Sequence, residues 1–295
     1  MHWKLGSATV TRIEEQLGPG SFPPDQYFTG FDRQVLQDNL GWLAPNHYVP
    51  QTDALITSVH SWLIKTPRHT ILLDSCSGNH KDRHWWPRFH QLDTPFLERL
   101  AAAGARTQDI DIVLCTHLHA DHIGWNTRLV NGRWVPTFPN AKYLFSKIEN
   151  DYWDPRQHSE ESSDPTRNIA YVDSVLPVLE AGQAQLVDGI HAIDESLRIE
   201  PAPGHTPGHI LLKLLGEQGG VFCGDVIHHP LQIYAPHWNT QFCQDPQQAR
   251  ATRRAVLQYC ADSESLLLPT HFGAPHVARV SARDGEFAAA FVEPH

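Results

Sequence analysis

The chain has 295 residues, 41% of them hydrophobic and 19% charged, with a formal net charge of −10. This balance predicts an ordinary globular core in one large domain or two small ones. It argues against a nucleic-acid partner, which would want a basic stripe, and against a membrane partner, since no apolar run nears the roughly 18 residues a bilayer needs.

Met1 to Ile13 lacks the basic start and apolar run of a signal peptide. Five cysteines (Cys76, Cys115, Cys223, Cys243, Cys260) are odd in number, widely spaced and form no C-x-x-C. Reduced, mostly buried thiols and a cytoplasmic location are expected. Residues 1–50 read as an N-terminal extension of a single domain over 1–295, with Phe22, Tyr27, Phe28, Phe31 and Trp42 ahead of the first clear strand. That strand is Leu55 to Ile64, with Leu55, Thr57, Val59, Ser61 and Leu63 on one face. Thr70 to Asp74 is a short apolar strand running into a polar turn, Ser75 to Asn79. A helix opens with Thr94 as N-cap and Pro95 at the first position, buries Leu97, Leu100 and Ala101, and stops at Gly104. Ile112 to Cys115 is a buried strand that runs straight into His117, at the carboxyl end where α/β sheets place their sites.

Further on, Lys142 to Ser146 reads as a strand, Asp151 to Pro165 as a polar, proline-bearing loop or lid, and Asn168 to Glu180 as a helix. Strands return at Leu197–Glu200, His209–Leu215 and Val221–Cys223. Asp245 caps a helix with Pro246 at its first position, and Gln248 is placed to complete a capping box. Leu266 to Leu268 is a last buried strand. Two groups of strands, each with its own helix, predict two sheets packed face to face with helices outside.

The string Thr116-His117-Leu118-His119-Ala120-Asp121-His122 packs four metal-ligand side chains into six positions. Imidazole and carboxylate suit zinc and its first-row neighbours. Four such groups cannot all reach one ion from one tight turn, so the pattern points to two ions side by side and to hydrolysis by a metal-bound hydroxide. Four more signals follow at the ends of strand-like runs: Pro203-Gly204-His205-Thr206-Pro207-Gly208-His209, Gly224-Asp225, His228-His229-Pro230 and Thr270-His271-Phe272. Any one alone is ordinarily structural; five pieces in one order, all at strand ends, are not.

That order resembles the metallo-β-lactamase superfamily, from about Val10 to His271. The resemblance implies an αββα sandwich with a dinuclear metal cleft at one edge of the sheets. It implies that His117, His119 and His205 hold one ion, that Asp121, His122 and His271 hold the other, and that Asp225 bridges both. The cofactors are then two divalent ions, with a coordination position left for a shared hydroxide. Zinc is favoured because His119 is intact where oxygen-reactive di-iron relatives carry a carboxylate; manganese, cobalt and iron bind the same donors. A closed structural site fits poorly, since structural zinc favours thiolates and no cysteine falls in ligand spacing.

The implied chemistry is attack of the bridging hydroxide on a carbonyl or phosphoryl centre, with one ion polarising the target oxygen and the other steadying the leaving oxygen. Asp121 is placed to hold or shuttle a proton. No G-x-S-x-G elbow and no G-x-x-x-x-G-K-[ST] phosphate loop occurs. The flanks Gly224 to Gln232 and Asp74 to Lys81 look like the branch with methyl parathion hydrolase and a subset of acyl-homoserine lactonases. Many other acyl-homoserine lactonases carry a Tyr three residues after the bridging Asp. His228 stands there in this chain, either as a hydrogen-bond donor to the substrate oxygen or as a packing group. His209 and His276 read as outer-layer or surface residues. Trp85, Trp86, Trp153, Trp238 and Phe272 are candidates for an apolar pocket, although burial in the core is the simpler account of each.

The expected function is a metal-dependent lactonase or esterase acting on a small neutral ester, acyl-homoserine lactones first. Organophosphate triesterase or β-lactamase activity is the alternative on the same fold. A thioesterase of the glyoxalase type would want a basic cluster near the C-terminus, and none is seen. A non-catalytic ligand-binding sensor is the alternative of a different class, and the complete ligand set argues against it. The expected partner is a small-molecule substrate. Related lactonases also suggest that the 1–50 extension acts as a lid or a dimer arm over a neighbouring subunit, which would make a homodimer; it could equally cover its own core.

Overall fold

Short runs rich in leucine, isoleucine and valine build two mixed sheets, each with its own helices. The computed structural model describes residues 2–157 and 165–295. By contact the chain divides into two compact units, Met1–Glu15 with Val59–Asp188 and Gln16–Ser58 with Gly189–His295.

The first sheet runs in spatial order β1 (His2–Leu5), β2 (Ala8–Pro19), β3 (Ala54–Lys65), β4 (Thr70–Leu73), β5 (Ile112–Leu114), β6 (Lys142–Ser146) and β7 (Ala184–Val187), with Tyr48–Val49 added on β3. β3 and β4 are antiparallel, whereas β4, β5, β6 and β7 are parallel to one another. Leu73 pairs with Leu114, so the chain leaves β4 and β5 side by side at the same edge. Continuously buried runs such as Ile112-Val113-Leu114 are what parallel strands covered on both faces require. Strand structure begins earlier than the sequence pattern predicts, because β1 and β2 already belong to the sheet. The buried positions of β2 fall at Ala8 and Val10, then slip to Ile13 and Glu15, and this break hides the alternation.

In the same unit the helix Phe96–Ala102 buries Phe96 and Leu100. Its cap is Pro95, not Thr94: the Thr94 N–H and hydroxyl are both spent on Asn79 Oδ1, at 2.8 and 3.2 Å. Gly104 follows with φ +83°, a conformation that glycine adopts without strain. The hairpin Thr127–Val130 to Arg133–Pro136 turns through Asn131-Gly132 and was not anticipated. The expected 151–165 loop is in part the helix Lys147–Trp153 and the single turn Pro155–Gln157; residues 158–164 lie outside those described. The expected helix over 168–180 is two pieces, Pro165–Ser174 and Leu176–Glu180.

The second sheet runs in order β8 (His191–Ala192), β9 (Leu197–Pro201), β10 (Ile210–Leu214), β11 (Gly220–Gly224), β12 (Leu266–Pro269), β13 (Ala278–Arg283) and β14 (Glu286–Phe291). β10 is antiparallel to both β9 and β11, and β11 is parallel to β12. β9, β11 and β12 therefore all run the same way, and the segments that follow them leave from one edge. The helix Pro246–Ser263 packs Val256, Leu257 and Cys260 against Val221, Cys223 and Leu267. Asp245 accepts from the Gln248 N–H at 2.9 Å, as expected, but the Gln248 side chain turns to Thr252 Oγ1, so the capping box stays half made. Phe28, Leu36, Leu43 and Tyr48 form a core cluster with Leu231, Ala235 and Trp238. Phe28–Thr29 also pairs with Asn239–Thr240. The aromatic stretch before the first predicted strand thus covers the core of its own unit. All five cysteines are free thiols, four of them buried. Among the described residues no helix is long and apolar enough to cross a membrane.

Candidate metal centre

The loop after β5 enters a one-turn helix, Ala120–Ile123, with His119 at its cap. His117 and His119 bring Nε2 and Nδ1 to 3.0 Å, and the rings of His117 and His122 lie 4.1 Å apart. Asp121 Oδ2 is 3.8 Å from His122 Nε2. The outer nitrogens are held from behind. Thr116 Oγ1 meets His117 Nδ1 at 3.1 Å, and Asp74 Oδ2 meets His122 Nδ1 at 2.9 Å. Asp74, the first residue after β4, is itself fixed by the Thr116 N–H at 2.7 Å. Trp153 stands edge-on to His119, 5.2 Å between centroids, with its indole N–H on Glu149.

In the second unit the carboxylate of Asp225 is ringed by imidazoles. His205 Nε2 lies 3.3 Å and His228 Nε2 3.1 Å from Oδ2, and His271 Nε2 lies 3.0 Å from Oδ1. His271 Nδ1 donates to Ser58 O at 2.7 Å, and Cys243 Sγ is 3.9 Å from His205 Nδ1. His209, expected in an outer layer or at the surface, is buried, and its Nε2 accepts the Asp225 N–H at 3.1 Å. His276 is also buried, donating Nδ1 to Phe272 O at 2.7 Å. His228 is buried among these groups. Burial pushes its pKa below the ordinary histidine value, against the opposing pull of Asp225. Tyr27 stands edge-on to His228 at 6.4 Å and to Phe242 at 6.0 Å. Of the pocket candidates, Trp238 and Phe272 belong to core clusters, and Trp86 stacks on Phe89.

All seven predicted ligand residues fall into two sets. The donor atoms of His117, His119, His205 and Asp225 lie within 4.8 Å of one another, and so do those of Asp121, His122 and His271. Asp225 turns Oδ2 to His205 of the first set and Oδ1 to His271 of the second. The donors fit a divalent cation by a hydrogen-bond argument. Ser58 O can only accept, so His271 carries its hydrogen on Nδ1 and the neutral ring presents a lone pair at Nε2. That lone pair faces a carboxylate oxygen at 3.0 Å. Two acceptors at that distance need a positive centre between them, a proton on Nε2 or a metal ion, and the same lone pair serves either. The donors are nitrogen and oxygen throughout, the set that zinc and its neighbours take. Backing a ligand histidine with a carboxylate or carbonyl is the usual outer arrangement of such sites. The sequence reading overlooked Asp74 and Ser58 in this role, although Asp74, a charged residue closing an apolar strand, carried a signal.

The sequence model of the metallo-beta-lactamase superfamily matches residues 56–271. The chain belongs to the metallo-beta-lactamase superfamily. Its sequence relatives include the hydroxyacylglutathione hydrolase of Aeromonas hydrophila, 28% identical over 166 residues, which are 56% of this chain and 45% of the relative. They also include an N-acyl homoserine lactonase of a Bacillus species, 25% identical over 122 residues, 41% of this chain and 39% of the relative. The chain thus spans less than half the length of either. The metallo-beta-lactamase fold extends over the whole chain in solved structures. The hydrolase AbOPH superposes with a TM-score of 0.79 at 22% identity, covering 99% of this chain and 97% of its own. AidC, a dizinc quorum-quenching lactonase solved with N-hexanoyl-L-homoserine as product, gives 0.76 at 21%, covering 99% and 98%. At these identities the likeness is one of fold.

Proposed function

We propose that this metallohydrolase binds two divalent ions, most readily zinc, and opens a small neutral lactone or ester, with acyl-homoserine lactones as the first candidate. The observation that carries the reading is the pair of nitrogen-and-oxygen donor sets with one oxygen of Asp225 turned to each. His117, His119 and His205 would hold one ion, Asp121, His122 and His271 the other, and Asp225 both. When bound, such ions supply an activated water and polarise the oxygen of the scissile bond. The protein's own groups do the rest. Asp121 sits in the first turn of the Ala120–Ile123 helix, partly open, where its second oxygen can take and return a proton. His228 has Nε2 on Asp225 Oδ2, and its buried Nδ1 has no hydrogen-bond partner among the described residues. It offers one polar contact to a substrate at that position.

Tyr27 borders His228 and Phe242 lies edge-on to Tyr27, aromatic surface that suits an uncharged acyl group. The nearby cation Arg253 is spent on the carbonyls of Val226 and Trp238, at 2.8 and 2.6 Å. Arg279 near the C-terminus donates to Glu264 O. An anionic thioester therefore finds little to grip in these groups, although three of the sequence relatives are hydroxyacylglutathione hydrolases. The lactonases among the sequence and structural relatives support the lactone reading. Phosphotriester hydrolysis is the second reading, on the likeness of Gly224 to Gln232 and Asp74 to Lys81 to the branch with methyl parathion hydrolase.

Metal analysis of purified protein, together with a panel of lactones, aryl esters, a phosphotriester and a chromogenic β-lactam, tests both levels. Two ions per chain, lost in Asp225→Ala together with activity, is the expected outcome, with the best kcat/KM on a lactone. Full activity in Asp225→Ala sinks the metal assignment, and lactone turnover no better than the rest ends the substrate assignment.

A further inference from the structure

The loop that carries Asp74 and the loop that carries Asp121 and His122 are joined backbone to backbone. The Ser75 N–H donates to His122 O at 2.7 Å, the Gly124 N–H to Cys76 O at 2.7 Å and the Trp125 N–H to Ser75 O at 2.8 Å. The approach is so close that a Cβ on Gly124 would stand 1.8 Å from Ser77 O, and one on Gly78 2.6 Å from the carbonyl carbon of Gly124. Against this seam lies a carboxylate outside both donor sets. Glu15, 4% exposed, accepts the Ser77 N–H at Oε2 (2.8 Å), and the Gly78 N–H (3.0 Å) and Trp125 indole N–H (2.8 Å) at Oε1. These three donors have no acceptor capacity, so the group that faces them must accept at both oxygens, as an ionised carboxylate does. Arg99 holds this part of β2 in place through the carbonyls of Glu14 and Glu15, at 2.8 and 3.2 Å.

We propose that Glu15 is a positioning residue for the Asp121–His122 half of the metal centre: by tying Ser77-Gly78 to Trp125, its carboxylate sets the separation of Asp74 and His122 and so the direction of His122 Nε2. Glu15 reaches no donor atom of the centre itself. Its action passes through the two loops to Asp74, which holds His122 at 2.9 Å. This rests on the dinuclear reading above. It separates Glu15 from a residue of merely structural use, because a general loss of rigidity would weaken both ions, whereas the Glu15 contacts converge on one loop pair.

Glu15→Gln keeps the volume and replaces one accepting oxygen with an N–H₂ that must face one of the three N–H groups. The metal-free wild type and variant are titrated with cobalt(II) against a chromogenic chelator, and the unfolding midpoint of each metal-free form is recorded. The ion held by Asp121 and His122 is identified by its loss in His122→Ala. The expected result is two ions in the wild type. In Glu15→Gln the first ion keeps its affinity and the Asp121–His122 ion is weakened about tenfold or more, the size usual for an outer partner of a metal ligand. Trp125→Phe removes one of the three donors while keeping an aromatic ring against Phe96, from which Trp125 lies 5.4 Å, and should shift the same ion in the same direction by a smaller factor. It decides the matter if Glu15→Gln does not fold. Equal weakening of both ions, or an unchanged Asp121–His122 ion in a folded variant, overturns the proposal alone. Fewer than two ions in the wild type overturns the dinuclear reading and the proposal with it.

Discussion

Acid should unfold the metal-free protein through two buried histidines of the second unit, and the size of the effect can be worked from their surroundings. His47 is 1% exposed and stacks on Phe291 at 4.8 Å; its Nδ1 has no hydrogen-bond partner among the described residues. Burial first, then the fields of His229 and His276, lower its pKa to about 3. His229 is fully buried, donates Nε2 to His47 O at 2.9 Å and accepts the Leu231 N–H at Nδ1. Both of its nitrogens are used by the neutral ring, and burial lowers its pKa to about 4. In the unfolded chain both should titrate near 6.5. Because the folded values are the lower ones, the unfolded chain binds the extra protons. The stability from these groups is complete above about pH 6.5 and declines as the pH falls through that value towards the folded pKa values. Each unit of pH below about 6.5 costs about 1.4 kcal/mol per histidine, so at about pH 4.5 the pair costs about 5 kcal/mol, the size of a modest domain's whole stability. His47→Phe removes one of the two and should stay within about 1.5 kcal/mol of the wild type at neutral pH. Urea unfolding of both metal-free proteins at intervals from pH 7 to 4.5 measures the difference, in which the shared carboxylate contribution cancels. Below about pH 6.5 the stability difference should shift in favour of His47→Phe by about 1.4 kcal/mol per unit of pH. Parallel curves would refute the reasoning.

Three further outcomes follow from the site. Asp74→Asn leaves His122 Nδ1 with a weaker acceptor and should lower the affinity of the Asp121–His122 ion by about 10- to 100-fold, read by chelator competition. Gly124→Ala drives a methyl into Ser77 O and should cost more than about 3 kcal/mol, seen as a fall in the urea midpoint. His228→Phe should keep both ions and lower kcat/KM about tenfold or more if the imidazole meets substrate, whereas unchanged kcat/KM would make His228 a packing residue.

The donor residues could be read from the sequence because the short segments that carry them lie just beyond strand ends. Val221-Phe222-Cys223 before Asp225 and Leu266-Leu267-Leu268 before His271 are short buried runs, and a parallel pair must release its chain at one edge. The strands were legible for the same reason: Lys142 to Ser146 carries its own signal of composition and flanks. Failures came where a local signal was weak or overridden. The Thr94 cap was lost to Asn79, fifteen residues away, which competes for the same groups. The break at Arg12 hid β2. The Asn131-Gly132 turn was a fair hairpin signal, with φ of 50° and 76°, but its flanks Thr127–Val130 are mostly exposed and lack an apolar alternation.

The supports of the site were hidden for a deeper reason. Asp74 meets His122 across 48 residues, Ser58 meets His271 across 213, and Glu15 meets Trp125 across 110. No spacing rule joins such pairs, because only the folded chain brings them together. Yet these partners decide what the ligands can do. The string from His117 to His122 fixes which atoms could bind a cation, but His271 becomes a lone-pair donor at Nε2 only because Ser58 O takes the hydrogen of Nδ1. Asp74 imposes the same tautomer on His122. A chain with the same motif and no acceptors behind it would leave those rings free to turn or to present N–H groups inward, where they would repel a metal ion. The motif therefore names the candidates, and the fold, through residues the motif does not contain, sets their chemistry.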